Sequence, residues 1–417
     1  PISEPEHSRG VRGARLPPGG EVQEGQRPSW PAPGPQAMTP LAVMLSAAHP
    51  PDDLRVVRKE GAALAAAGWR VRHLCPAPRG EVPAVVAGVE IETYPRPGSR
   101  LRGLPALARR AAASGATVLH ASEPDAWLAA LLAARRSGAR VVLDVHEHYP
   151  SRLDGRLPAG LRGVARAAIR AACGAMGRAA DAVVVAKDGL DADFGVPDRV
   201  VAVRNYALPA RVVPRRHEAG PVTLVHLGAI GRARGWPELL RAMALAGPAV
   251  RLCVIGRFTD GSEGAFREAV AAMGLGERVA LLGWRPHEAA LAEAARCDVG
   301  VVLFQPGTEN HRLALPHKLF DCMLAGLPVI APGFAEEVAA VVREAGCGIL
   351  VDPSDPADIA AAVAALGDPV RRAVLGEAGR RAALGRFGWE AEAARLVALY
   401  ERLAPRPRLA APALAAY

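Results

Sequence analysis

The residues best suited to chemistry in this chain are cations placed at the openings of helices. The stretch HRLALPHKLFDCMLAGLPVIAP (311–332) reads as loop, helix, turn and buried strand. Pro316 suits a first helical position. Lys318 then falls in the first turn, where the helix dipole disfavours a cation unless an anion lies beside it. Asp321 shares its face three residues on, so an internal pair worth roughly 0.2–0.5 kcal/mol is the plain alternative. Arg232 and Arg234 lie between the strand VTLVHLG and the next helix. Basic side chains in a strand-to-helix loop suit a phosphate, although two solvated loop arginines would look the same. All three cations fall on one rim of one domain. Together they point to a bound diphosphate, with Asp321 left to accept ribose hydroxyls.

A second group lies earlier. His146 follows the apolar strand of ARVVLDVHEHYP, and side chains at the C-terminal ends of parallel strands face the ligand crevice. The plain alternative is a structural cap, with Glu147 paired to a basic neighbour. His146, Glu147 and His148 make a poor metal set, because alternate residues of an extended chain share a side only in pairs. Asp52 and Asp53 lie side by side rather than in a D-x-D metal motif, and no metal site is expected. Arg162, Arg166 and Arg170 recur four residues apart on one helix face. A solvated face is the simpler reading; contact with anionic lipid is the sharper one.

The elements that must position these residues alternate strand and helix from Pro40 onward, which implies parallel, doubly wound sheets. Strands LAVMLS, RVRHLCP, VEIETYP, ATVLHAS, ARVVLDV and DAVVVAK are separated by helices, including RVVRKEGAALAAAGW (55–69) and one over about 159–179. Prolines and charges at 207–220 read as a linker, after which a second alternation of similar size begins. The expected organisation is a disordered extension over 1–37, a first Rossmann-like domain over 38–206, a linker over 207–220 and a second domain over 221–387. A helix at about 388–404 is expected to complete the first domain, and 405–417 to form a tail. Acidic and basic residues cancel within 1–37 (Glu4, Glu6, Glu21 and Glu24 against Arg9, Arg12, Arg15 and Arg27), so the net +9 belongs to the body. Either an upstream extension or a start at Met38 fits.

Composition narrows the function. The positive charge suits anionic ligands, but aromatics are only 4% and scattered, which argues against a single-strand nucleic-acid platform. The cysteines at 75, 173, 253, 297, 322 and 347 form no C-x-x-C pair and read as small buried apolar residues of a cytoplasmic protein. No apolar run reaches the length of a membrane span, and no signal-peptide pattern opens the chain. The Ala-, Arg-, Gly- and Pro-rich composition fits a GC-rich, actinobacterial genome.

LPHKLFDCMLAGLPVIA resembles the P-x-K-L-F-E-Y-M-A-A-G-L-P-V-I-A block of glycosyltransferase family 4, the glycosyl transferases group 1. LDVHEHYP resembles the D-x-H-E-x-Y-P block of one branch, HLGAIGRARG the phosphate loop, and CGILVDPSDPADIAAAV and FGWEAEAARLVALYERL the C-terminal helices. The resemblance covers nearly all of 40–404. It implies a GT-B fold, with two Rossmann-like domains facing across a cleft. It also implies a retaining, metal-independent hexosyltransferase that uses a nucleotide-diphosphate sugar, UDP by default, and no cofactor. The acceptor would be a hydroxyl of a glycan, lipid carrier or natural product.

By the same resemblance, Arg232, Arg234 and Lys318 hold the diphosphate and Asp321 the ribose, while Trp284 and Arg285 flank the base. His146 faces the donor sugar and acceptor, with Lys318 and Arg234 stabilising the leaving group. His49 and Asp53 line the opposite side of the cleft, where His120 and Glu147 are also expected. Three positions depart from the pattern. Asp321 replaces a glutamate, Ala229 an arginine, and Leu313 the first acid of the E-x7-E motif, with Glu309 and Asn310 as nearby substitutes. A sugar-nucleotide epimerase and a non-catalytic nucleotide-sugar-binding module stay open as alternatives.

Overall fold

The structure, a computed structural model, describes residues 39–78, 80–96 and 98–405. The expected disordered stretch 1–37, and the tail beyond Pro405, lie outside the described residues. Runs rich in Val, Leu, Ile and Ala cannot face water on either side, and they form parallel strands covered by helices. The first alternation gives β1 (Leu41–Leu45), β2 (Arg70–Pro76), β3 (Val85–Val86), β4 (Val89–Tyr94), β5 (Val118–Ala121), β6 (Arg140–Val145), β7 (Ala182–Val185) and β8 (Val200–Ala202). They form one sheet in the order β3-β4-β2-β1-β5-β6-β7-β8, parallel except for β3 against β4. The second alternation gives β9 (Val222–Ile230), β10 (Val250–Phe258), β11 (Val279–Gly283), β12 (Val299–Val301), β13 (Val329–Pro332) and β14 (Gly348–Val351). Their order is β11-β10-β9-β12-β13-β14, parallel throughout.

In both sheets the strand order reverses direction once, at β1/β5 and at β9/β12. Loops leaving these strands part to opposite faces and open a crevice at the strand ends. His49 and the Arg232–Arg234 turn leave β1 and β9, so both groups singled out above sit at such a point.

Side chains alternate between the faces of each strand. Leu41, Val43 and Leu45 pack with Leu119, Leu143, Val185 and Trp127 on one face of the first sheet. Ala42 and Met44 pack with Val118, Val142 and Val184 on the other. Helix Trp389–Leu403 returns from the second domain to cover that second face with Trp389, Leu396, Leu399 and Tyr400. Full burial of such side chains stabilises by about 1.5–3 kcal/mol each.

Two local expectations are corrected. The segment at 55–69 is no single α-helix: Val56–Gly61 is a π-turn and Ala62–Ala66 the α-helical part. A wider turn of this kind often marks a functional site, and here it carries Lys59 and Glu60, both fully buried. Pro316 is the residue before helix His317–Leu324, with an extended ψ of 139°, so Lys318 is its second residue. Within 207–220, Val212 packs into the core of the second domain, and Ala207 bridges to Gly388.

Candidate active site

In the first domain two histidines meet at the strand ends. His49 and His146 stand edge to face with ring centroids 5.1 Å apart. Asp53 holds His49 Nδ1 at 2.8 Å and accepts the amides of Arg55 and Val56 at 2.9 Å each, so one carboxylate caps the turn and orients the ring. Glu123 lies 3.5 Å from His49 Nε2. Burial works against a charged His49, but Asp53, Glu123 and Asp144 outweigh it and raise its pKa to about 9. The ring is an imidazolium at neutral pH.

Beneath His146 lies a buried charge network absent from the sequence expectations. Asp144, two residues back on the same side of β6, binds His146 Nε2. Its other oxygen accepts from Arg55 Nη2 at 2.9 Å. Arg55 also reaches Glu60 at 2.7 Å and donates to the Val203 carbonyl at 2.9 Å. His120 is corrected here: it is fully buried and lines no cleft. The alternation of β5 points it under helix Trp389–Leu403, where its Nδ1 meets the Tyr400 hydroxyl at 2.9 Å. Its Nε2 lies 3.4 Å from Glu60 and 3.6 Å from Asp144. Burial disfavours its charge, yet these carboxylates raise its pKa to about 9. Glu60 and Asp144 are thus matched by Arg55 and the His120 imidazolium. Glu147 instead pairs with Arg152 at the surface, as the capping alternative anticipated.

In the second domain Lys318 is half-buried and does not pair with Asp321. Its Nζ lies 3.1 Å from His226 Nε2 and donates to the Ala229 carbonyl at 3.3 Å. Burial, then the nearby Arg234, lower its pKa to about 7. Burial and Lys318 likewise hold His226 neutral, near 3. Arg234 is half-buried with no side-chain partner among the described residues, and burial alone depresses its pKa. Exposed Arg232 lies over the Trp236 ring at 5.0 Å. The Lys318–Arg234 pair is therefore a pocket of positive charge with no carboxylate at ion-pair distance among the described residues. Gly235 holds the turn that carries Arg234: its φ is 80°, and an added Cβ would stand 2.1 Å from the Leu303 carbonyl. Gly235→Ala is expected to destabilise by roughly 2–4 kcal/mol and to displace Arg234. Chemical denaturation alongside nucleotide titration checks both effects.

Several donor-side residues have partners within the chain. Asp321 is engaged through one oxygen: His287 Nε2 binds its Oδ1 at 2.9 Å, and His317 Nε2 lies 3.3 Å from the same atom. The histidines offset its burial and keep the carboxyl below its usual range. Glu309 is engaged by Arg312. Asn310 clamps the first domain, accepting the His148 amide at 2.6 Å and donating to its carbonyl at 3.3 Å. Leu313 packs into the core of the first domain. Trp284 is 51% exposed and lies under Arg257 at 4.8 Å, while Arg285 donates to the Trp284 carbonyl.

Residues not anticipated from sequence tie the domains together. Lys59 donates to Asn205 Oδ1 at 2.9 Å and to the Tyr206 carbonyl at 2.6 Å, and lies 3.2 Å from His317 Nδ1. Among the described residues, two side-chain groups have the types and spacing of metal ligands: His287, His317 and Asp321, and Glu60, His120 and Asp144. In the second of these Arg55 already supplies the counter-charge. On the helix Ala159–Ala179, Arg166 pairs with Asp154 and Arg170 with Asp193, which leaves Arg162 unmatched by a carboxylate.

The comparisons with known proteins follow this geometry. The family profile described as glycosyl transferase 4-like domain matches residues 54–206, and that of glycosyl transferases group 1 matches residues 221–368. No curated protein matches the sequence at a significant level. Among solved structures, the chain is similar to sucrose-phosphate synthase from Thermosynechococcus elongatus, at 21% identity and a TM-score of 0.68, covering 88% of this chain and 99% of that one. It is also similar to Anabaena HepE in complex with UDP and glucose, at 16% identity and a TM-score of 0.66, covering 87% and 99%. A glycosyltransferase from Rickettsia africae aligns at 12% identity with a TM-score of 0.63, covering 88% and 99%. At these identities the structures speak for the fold, and the two profiles, in order along the two sheets, speak for the family: the chain belongs to glycosyltransferase family 4, the glycosyl transferases group 1, with the GT-B fold.

Proposed function

We propose that this glycosyltransferase moves a hexose from a nucleoside-diphosphate sugar, UDP being the first choice, to an acceptor hydroxyl with retention of configuration. The observation that carries this reading is the Lys318–Arg234 pair: two half-buried cations at the β9/β12 crevice with no carboxylate at ion-pair distance among the described residues. Such a pair costs free energy unless an anionic ligand completes it. Anabaena HepE is described in complex with UDP-glucose, which supports UDP as the first donor to test.

In this scheme Lys318, Arg234 and Arg232 take the diphosphate and neutralise the charge that develops as it leaves. No metal is required for that step. Trp284 and Arg285 flank the base. His287, oriented by Asp321, takes the ribose contact that the shorter carboxylate no longer makes. From the first domain, His146, oriented by Asp144, and the cationic His49 approach the sugar and acceptor, and domain closure keeps water away from the donor. The leaving phosphate accepts the acceptor proton on the same face of the sugar. Acceptors are glycans, lipid carriers or small natural products. Among the described residues no helix is long and apolar enough to cross a membrane. Exposed Leu161 and Val164 beside Arg162 suit peripheral contact with an anionic lipid surface, and salt-sensitive vesicle binding tests it.

A thermal-shift screen of UDP, GDP, ADP and their sugars, followed by slow donor hydrolysis without acceptor, tests the main reading. Stabilisation by one nucleoside diphosphate, weakened in Arg234→Ala, is expected. No stabilisation by any of them overturns the reading.

Binding should also take up a proton. Lys318 has a pKa near 7 in the free protein, and a bound anion raises it. Affinity for the diphosphate therefore falls as pH rises above about 7 and is flat below it. Titration calorimetry at pH 8 in buffers of different ionisation enthalpy reads the uptake directly, and Lys318→Met should lose it.

A further inference from the structure

The positive charge does not end at Arg234. Lys187 stands just past β7 in the first domain, only 7% exposed, with no hydrogen-bond or ion-pair partner among the described residues. A buried lysine is rare unless paired. The neighbouring carboxylates are committed elsewhere: Asp188 binds Arg204 at 2.7 Å, and Glu337 accepts the Asp188 amide. Burial raises the Glu337 carboxyl to about 7, so it is a weak counter-charge at neutral pH.

Backbone geometry brings this lysine to the donor side. Gly189, two residues on, faces Leu313, whose Cδ2 stands 3.2 Å from where a Cβ would be. His311, two residues before Leu313, lies 2.5 Å through Nδ1 from the Gln305 carbonyl. The Gln305 amide binds the Ala233 carbonyl at 2.9 Å, beside Arg234. Lys187 and Arg234 are close enough for each charge to bear on His311, which burial and these cations keep neutral. Lys318, Arg234 and Arg232 already answer the charge of a diphosphate diester, which leaves Lys187 in excess. Leu313 beside it offers no hydrogen bond to a neutral sugar.

We propose that Lys187, with Arg234, forms a second anion subsite next to the diphosphate site, which takes a phosphate or carboxylate carried by the donor sugar or by the acceptor. The substrate class is thus an acidic donor sugar or a phosphorylated acceptor. The subsite rests on the donor reading above for the position of the diphosphate.

The test uses the full chain, Lys187→Gln and Lys187→Arg, with calorimetric titrations. In one arm, inorganic phosphate is titrated onto protein saturated with UDP-glucose, as a probe of a phosphorylated acceptor. In the other, UDP-glucuronate is compared with UDP-glucose, as a probe of an acidic donor. One arm is expected to show binding, or a preference for the acid, that falls about tenfold or more in Lys187→Gln and is kept in Lys187→Arg. Affinity for UDP itself should change less than about twofold on that scale. The proposal is overturned if neither arm shows an effect in the parent protein, if the effect survives in Lys187→Gln, or if Lys187→Gln weakens UDP by the same factor. Should no nucleotide bind, the donor reading fails separately, and phosphate titrated onto the free protein still decides the subsite by its loss or survival in Lys187→Gln. Because a partnerless buried cation is removed, Lys187→Gln should melt no lower than the parent, which separates lost binding from lost folding.

Discussion

Lys318→Ala is expected to lower turnover by about 10²–10³-fold and to leave the protein as stable as the parent, or more so. The stability side follows from the lysine's surroundings. Its ammonium is half-buried beside Arg234 and a neutral His226 and has no carboxylate partner, so the fold bears a desolvation cost with little return. The activity side follows from its place in the crevice beside the phosphate loop. A cation fixed there meets charge that grows on the leaving diphosphate and needs no reorganisation as the bond breaks. Steady-state kinetics with a thermal melt separates the two effects. Unchanged kcat and kcat/KM would remove Lys318 from the mechanism. A large fall in Tm would instead assign it to the fold.

Asp144→Asn should have the largest structural effect of any single side-chain change at the site. The carboxylate is fully buried and answers both Arg55 and the His120 imidazolium while holding His146. Removing its charge leaves Glu60 to balance two cations, and breaking a buried pair in this way costs roughly 3–5 kcal/mol. Activity falls as well, because His146 loses its orientation. His146→Ala serves as the contrast, since that ring sits at the edge of the cleft: activity falls and stability changes little. Acid sensitivity carries the same signature. Arg55 and His146 outweigh burial and hold the Asp144 carboxyl well below its usual value. Its contribution is therefore present above the unfolded pKa of about 3.9 and is lost as pH falls below it. Denaturant melts between pH 3 and 7 should show a steep acid limb in the parent and a shallower one in Asp144→Asn. Equal limbs, with equal stability at neutral pH, would show that the network does not depend on this charge.

Much of this was legible in the chain itself. Alternating apolar runs and helical patterns determined two parallel α/β domains, because strands buried on both faces and helices with one apolar face pack stably in few other ways. The position of Arg232, Arg234, His49 and His146 at strand ends was equally local, since each closes or follows a strand, and Lys318 was placed by the opening of its own helix. A closer reading of VVLDVHEHY would also have found Asp144: a charged residue inside a buried strand, in step with His146, needs a buried partner.

The partners themselves were decided by tertiary structure. Asp321 looked free once Lys318 was assigned to a phosphate, yet His317 on its own helix and His287 from a different helix both reach it. Asn310 looked like a donor contact by position, yet it holds the first domain, where Leu313 packs as well. His120 appeared to face a cleft until helix Trp389–Leu403, more than 250 residues away in sequence, covered that face of the sheet. Lys187 gave no signal, since a lysine after a strand is ordinary in sequence and becomes unusual only when the second domain buries it without a partner. Periodicity and turn chemistry act over a few residues and so are written in the chain. Which charge meets which depends on loop closures across hundreds of residues, and burial, which makes those charges matter, exists only once the two sheets and the returning helix are packed.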